Sequence, residues 1–149
     1  MEQNKPLGYM LGMTLRVFKI RMVTECKKKE IELTLEQFVI LNMLNSNCDL
    51  IQQDLANHLQ KDKSIIVRQI DSLIDDQYVV RLTNKEDKRK KNLILTKKGF
   101  DRLNEMEGIA SEVSKKLLTG VTDSELEIFK SVLMKIQENG DAEEKHFNC

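Results

Sequence analysis

A chain of 149 residues, 40% of them hydrophobic, has the size of one domain and enough apolar side chains for a core; with 24 basic and 24 acidic groups its net charge is zero, which excludes no class of partner, because the field that matters is local. Three widely spaced cysteines, Cys26, Cys48 and Cys149, exclude a disulfide framework and a Cys-x-x-Cys metal or redox motif. No run approaches the ~20 apolar residues of a membrane span, and Met1-Glu2-Gln3-Asn4-Lys5 lacks the apolar stretch of a secretory signal, so a cytoplasmic protein is expected.

Pro6 is the only proline, and the long proline-free remainder favours a mainly helical fold. Leu7, Met10, Leu11, Thr14, Leu15, Phe18 and Met22 recur at three- and four-residue steps and predict a first helix from Leu7 to Lys29. Thr34-Leu35-Glu36-Gln37 reads as a capping box opening a second helix that runs to about Asn45, with Phe38, Leu41 and Leu44 on one face. A short third helix spans Leu50 to Leu59, with Leu55, Ala56 and Leu59 inward. Asp49 is the better cap chemically, with Ile51 as the alternative first position. Asp62 can cap a fourth helix, Lys63 to Asp76, whose core stripe is Ile66, Ile70, Leu73 and Ile74.

Two β-prone runs follow, Val79 to Thr83 and Lys91 to Leu95, joined by the charged loop Asn84-Lys85-Glu86-Asp87-Lys88-Arg89-Lys90. They predict a hairpin with Val80, Leu82, Leu93 and Leu95 alternating inward at period two. Thr96 caps a fifth helix to about Leu118. Thr122-Asp123-Ser124-Glu125 is a second capping box, opening a sixth helix with Leu126, Phe129, Leu133 and Ile136 on one side. A hairpin directly after a helix-turn-helix is a winged helix, so the expected fold class is mainly α (α+β), a winged helix-turn-helix with flanking helices. Charge is polarised along it. Residues 1–59 hold seven basic and seven acidic groups, residues 60–100 eleven and six, and residues 101–149 six and eleven. A basic centre suits phosphate contact.

Leu55-Ala56, Lys63-Ser64, Arg68, Asp71, Leu73, Val80-Arg81, Asp87-x-Arg89 and Leu95-Thr96-x-x-Gly99, in that order and spacing, resemble the multiple antibiotic resistance regulator (MarR) family of bacterial transcription factors. The match covers residues 34–99. The flanking helices agree in number and length only. The resemblance implies a homodimer that binds a palindromic operator in double-stranded DNA and is often released by a small ligand or an oxidant. It divides a single domain into a reading head, 34–99, and dimerisation helices, 1–33 and 100–149. One departure is visible: the family usually has a glycine before the wing's first strand, where this chain has Gln77, so Asp76 or Gln77 must make that turn without glycine's freedom.

The exposed face of the fourth helix is the candidate reader. Arg68 has the fork geometry for guanine O6 and N7, and Lys63 can reach phosphate or base. Ser64 lies in the first turn, where the helix dipole favours phosphate. Ile65 and Val67 can meet thymine methyls; for Ile65, packing against the third helix is the alternative. Asp71 is expected to orient an arginine rather than touch a base. In the wing, Arg89 matches the family's minor-groove arginine and Asp87 the aspartate supporting the loop, while Lys85, Lys88, Lys90 and Lys91 suit flanking phosphates. A solvated charged loop is the alternative for the wing.

Leu7, Leu11, Leu117, Leu118, Val121, Phe129 and Leu133 exceed what the head needs and are expected to form the dimer. No enzyme, metal or cofactor is expected: His58 and His146 are far apart, and no phosphate-cradling glycine loop or nucleophile set exists. The expected function is a sequence-specific transcriptional regulator, a repressor responsive to a small-molecule effector. The alternatives are a winged-helix protein-interaction module and a redox sensor through Cys26 or Cys48. For Cys26, the lysines at 27–29 are expected to favour the thiolate, although a cysteine without a sensory role is the commoner case.

Overall fold

The computed structural model describes residues 4–46, 50–59 and 61–141. Six helices, α1 (Leu7–Lys28), α2 (Leu35–Ser46), α3 (Gln52–Leu59), α4 (Lys63–Asp75), α5 (Lys97–Leu117) and α6 (Asp123–Asp141), enclose one hairpin, β1 (Val79–Thr83) and β2 (Lys91–Leu95). This is a mostly helical winged helix. The strands pair antiparallel, Val79 with Leu95 through to Thr83 with Lys91. Ile51 adds a single bridge to Asn92 at the other edge of β2.

Local chemistry sets most boundaries. Thr34 and Gln37 close their box, Thr34 N–H donating to Gln37 Oε1 at 3.0 Å and Gln37 N–H to Thr34 Oγ1 at 3.1 Å. Thr122 and Glu125 do the same before α6. The cap of α3 differs from expectation. Asp49 lies outside the described residues, and the helix begins at Gln52 with Asp54 reaching back to accept the Ile51 N–H at 3.0 Å. Asp62 stands at the N-cap of α4, but its side chain makes no capping hydrogen bond; its carbonyl alone opens the helix.

The end of α4 resolves the missing glycine. Gln77 takes φ 62°, while Asp76 stays right-handed. Tyr78 N–H returns to Leu73 O and Gln77 N–H to Ile74 O, which is the Schellman arrangement. That turn aims Tyr78 and Val79 inward and corrects the expected parity of β1. Val79 is buried, whereas Val80 and Leu82 are 40% and 51% exposed. Leu93 and Leu95 keep the inward face as expected, and Arg81, opposite Leu93, shares it.

Two apolar clusters result. The head is centred on Ile40, Leu41, Leu55, Ile66, Ile70, Leu73, Val79, Leu93 and Leu103. Fully burying such a side chain stabilises by roughly 1.5–3 kcal/mol, and truncating Leu73 to alanine would cost about 2–5 kcal/mol. The second cluster joins the end of α1 to α5 through Met22, Cys26, Met106, Ile109 and Val113. The rest of α1 buries little: Leu7, Met10 and Leu15 are exposed, and so are Tyr9, Met13, Val17 and Ile20 on its other sides. On α6 no described side chain is buried; Leu126 and Leu133 are half-buried, while Phe129 and Ile136 are exposed.

Candidate nucleic-acid interface

The stripe Ile66, Ile70 and Leu73 turns α4 onto the head core and thereby fixes which residues face out. Lys63, Ser64, Arg68 and Asp71 are exposed, and Val67 is half-buried. Ile65 is 42% exposed, so packing against α3 leaves much of its side chain in solvent. Asp71 does engage an arginine: Arg81, reaching from β1, donates from one Nη to Asp71 Oδ1 at 2.8 Å. This ion pair ties the helix to the wing's first strand, and Arg81 was not singled out in the sequence as a site residue.

The wing loop is built by two side chains. Asn84 Oδ1 accepts the N–H groups of Glu86 and Asp87 at 2.8 and 3.0 Å. Asp87 Oδ1 accepts the N–H of Arg89 at 3.0 Å and its Nε–H at 3.3 Å. The backbone closes behind them, Asn84 N–H to Lys90 O and Lys90 N–H to Asp87 O. Asparagine opening a loop is the usual signal of such an Asx turn. The Arg89 side chain is 93% exposed at the tip. Lys85, Lys88, Lys90 and Lys91 are exposed around it, with Lys91 Nζ donating to Thr83 Oγ1 at 2.8 Å. Beneath the loop, Ile51, Leu82 and Ile94 floor an open groove of about 630 Å³ with Lys85 and Lys90 on its rim.

The base of the wing is locked to α5. Thr96 Oγ1 accepts the Gly99 N–H at 3.0 Å and donates to Gln77 O at 2.6 Å. Lys98 Nζ donates to Asp76 O at 2.7 Å and lies over the Tyr78 ring, and Arg102 Nε donates to the Tyr78 hydroxyl at 3.2 Å. A Cβ at Gly99 would collide with the Tyr78 carbonyl oxygen, so only glycine permits this approach.

A family model, the MarR family, matches residues 33–91. Over that span lie α2, the helix-turn-helix and the wing loop described above. Over those residues the chain is similar to the MarR family. Solved structures agree over most of its length. A MarR crystal structure superposes with a TM-score of 0.85 at 21% identity, covering 94% of each chain. A MarR transcriptional regulator from Methanosarcina mazei Go1 superposes with 0.79 at 27% identity, covering 90% of this chain and 95% of its own. The MepR–DNA complex of S. aureus superposes with 0.74 at 22% identity, covering 91% and 99%. MarR family members are transcriptional regulators, and this chain has their winged-helix fold.

The cysteines read differently in three dimensions. Cys26 is buried, with its Sγ 3.6 Å from Met106 Sδ. Burial, followed by the neighbouring Glu25 charge, pushes its thiol pKa up, which corrects the expectation that the lysines at 27–29 lower it. Cys48 lies outside the described residues. His58 is exposed on α3. Among the described residues no helix is long and apolar enough to cross a membrane, and no cluster of His, Cys, Asp or Glu could hold a metal ion.

Proposed function

We propose that this protein is a cytoplasmic, sequence-specific DNA-binding regulator that grips a palindromic operator as a homodimer and represses until a small effector releases it. The observation that carries the reading is the pairing of two exposed cationic elements on one head: the Lys63–Arg68 face of α4 and a wing tip whose Arg89 is held by Asp87. α4 enters the major groove, where Arg68 takes a guanine edge, Lys63 and Ser64 meet phosphate, and Ile65 and Val67 lie against thymine methyls. Arg89 enters the adjacent minor groove, and Lys85, Lys88, Lys90 and Lys91 neutralise flanking phosphates.

Dimerisation rests on geometry and on apolar surface. Two heads must sit about one helical turn, roughly 34 Å, apart to reach successive half-sites. The exposed Leu7, Tyr9, Met10, Ile128, Phe129 and Met134 of α1 and α6 supply an apolar surface of the kind that marks an interface.

Electrophoretic shift of DNA upstream of the protein's own gene, competed with unrelated duplex, tests the reading. A specific complex of two chains per operator is expected. Equal affinity for both DNAs, or tight specific binding by a chain that sediments as a monomer at micromolar concentration, would overturn it.

A further inference from the structure

We propose that Arg81 is a positioning residue for the reading helix: by occupying the Asp71 carboxylate it leaves Arg68 clear to meet a base. This rests on the assignment of α4 as the reading helix. Arg81 lies on the helix-facing side of β1, opposite Leu93, and its side chain is only 31% exposed. It reaches across to α4 rather than outward, so its guanidinium is spent on Asp71 at 2.8 Å.

Asp71 stands three residues after Arg68 on the same helix face, a spacing at which opposite charges meet. An unengaged carboxylate there has two effects. It draws the Arg68 guanidinium back along the helix, and it sets a bare negative charge where phosphates must approach. With Arg81 in place neither occurs, and among the described residues Arg68 has no ion pair. Arg81 therefore acts through Asp71 and Arg68 rather than by touching DNA.

The test uses the full chain, its operator, and operator variants substituted singly at each guanine. Arg81→Gln is expected to bind the parent operator on the order of tenfold more weakly, the worth of one good arginine–guanine contact, and to discriminate less at the guanine that Arg68 reads. Arg81→Lys, which can still engage the carboxylate, should recover most of that affinity. The deciding comparison is made without the carboxylate. In an Asp71→Asn background, Arg81→Gln should change operator affinity by no more than about twofold, the scatter expected of independent sites.

A loss in that background as large as in the parent, with the salt slope reduced by about one, would mean that Arg81 touches phosphate and would overturn the proposal. An equal loss with the salt slope unchanged would mean that Arg81 acts through a contact other than Asp71 and would overturn it as well. If the parent chain bound no sequence specifically, the assignment of the reading helix itself would fail and take the role of Arg81 with it. Specific binding by the parent without recovery in the Asp71→Asn background would fail this proposal alone.

Discussion

Replacing Arg89 with alanine should separate DNA affinity from stability. The side chain is 93% exposed and, among the described residues, its one charged partner is Asp87, at 3.3 Å. Exposed pairs of this kind contribute about 0–1 kcal/mol. The turn itself survives the substitution, because Asp87 Oδ1 accepts the backbone N–H of residue 89, which alanine retains. Thermal denaturation should therefore move by no more than about 4 °C, since 1 kcal/mol shifts a domain of this size by roughly 2–4 °C. Operator binding should weaken by roughly 1–3 kcal/mol for each wing, about 5- to 150-fold. Fluorescence anisotropy of a labelled operator at fixed salt, beside a melting curve on the same preparation, measures both. Unchanged affinity would refute the minor-groove role. Equal losses of affinity and of melting temperature would refute the separation of tip from turn.

Salt supplies a second expectation. If several of the cations at 63, 68, 85, 88, 89, 90 and 91 meet phosphates on both half-sites, on the order of ten contacts form, and affinity should fall by about 10³–10⁵ between 50 and 200 mM salt; a flat response would favour a protein partner. Gln77→Gly should raise stability by about 0.5–1 kcal/mol in a denaturant titration. The left-handed φ of 62° costs a non-glycine residue roughly 1–2 kcal/mol, glycine gives part of this back as backbone entropy, and a loss of stability would contradict the turn. Glu125 accepts the Thr122 N–H and hydroxyl at 2.8 Å each, which holds its carboxyl below the usual range. A depressed folded-state value means that the cap's contribution is complete above the unfolded-state value and is lost as pH falls through the folded one. Amide exchange in the first turn of α6 should thus quicken only on the acid side, and Glu125→Gln should abolish that dependence; a parent whose first turn exchanges alike at neutral and acid pH would contradict it.

Local signals were legible wherever neighbours in sequence are also partners in space. The boxes Thr34–Gln37 and Thr122–Glu125, the Thr96 cap and both strands follow from residues within a few positions of one another. Legibility failed where a distant contact decided. Val79 and Val80 are alike in β propensity, so nothing in their identities says which faces in; the turn at Gln77 and the reach of Arg81 to Asp71 choose Val79. Cys26 sits beside three lysines in sequence but against Met106, 80 positions away, in the fold, and burial together with the Glu25 charge raises its thiol pKa. In the candidate interface, the outward residues of α4 followed from its core stripe. The parts that hold the wing and α4 together carry no hydrophobic pattern: Arg81 is legible only within the family motif and as an arginine for Asp71, and Asn84 only as a residue that opens a loop.

The glycine-tight seat of Tyr78 on α5 turns that helix into a lever. At Gly99 no padding separates the two backbones, and Thr96, Lys98 and Arg102 grip the same three residues, Asp76 to Tyr78. The 21 residues of α5 make an arm about 30 Å long. A tilt of about one degree at its far end then displaces the wing's root by roughly half an ångström. In the proposed dimer, two heads carried on such arms would change their separation with the angle between them, so that a few degrees of rotation at the distant end would take the wings out of step with the duplex. Control of the proposed dimer would then require no change inside the head at all.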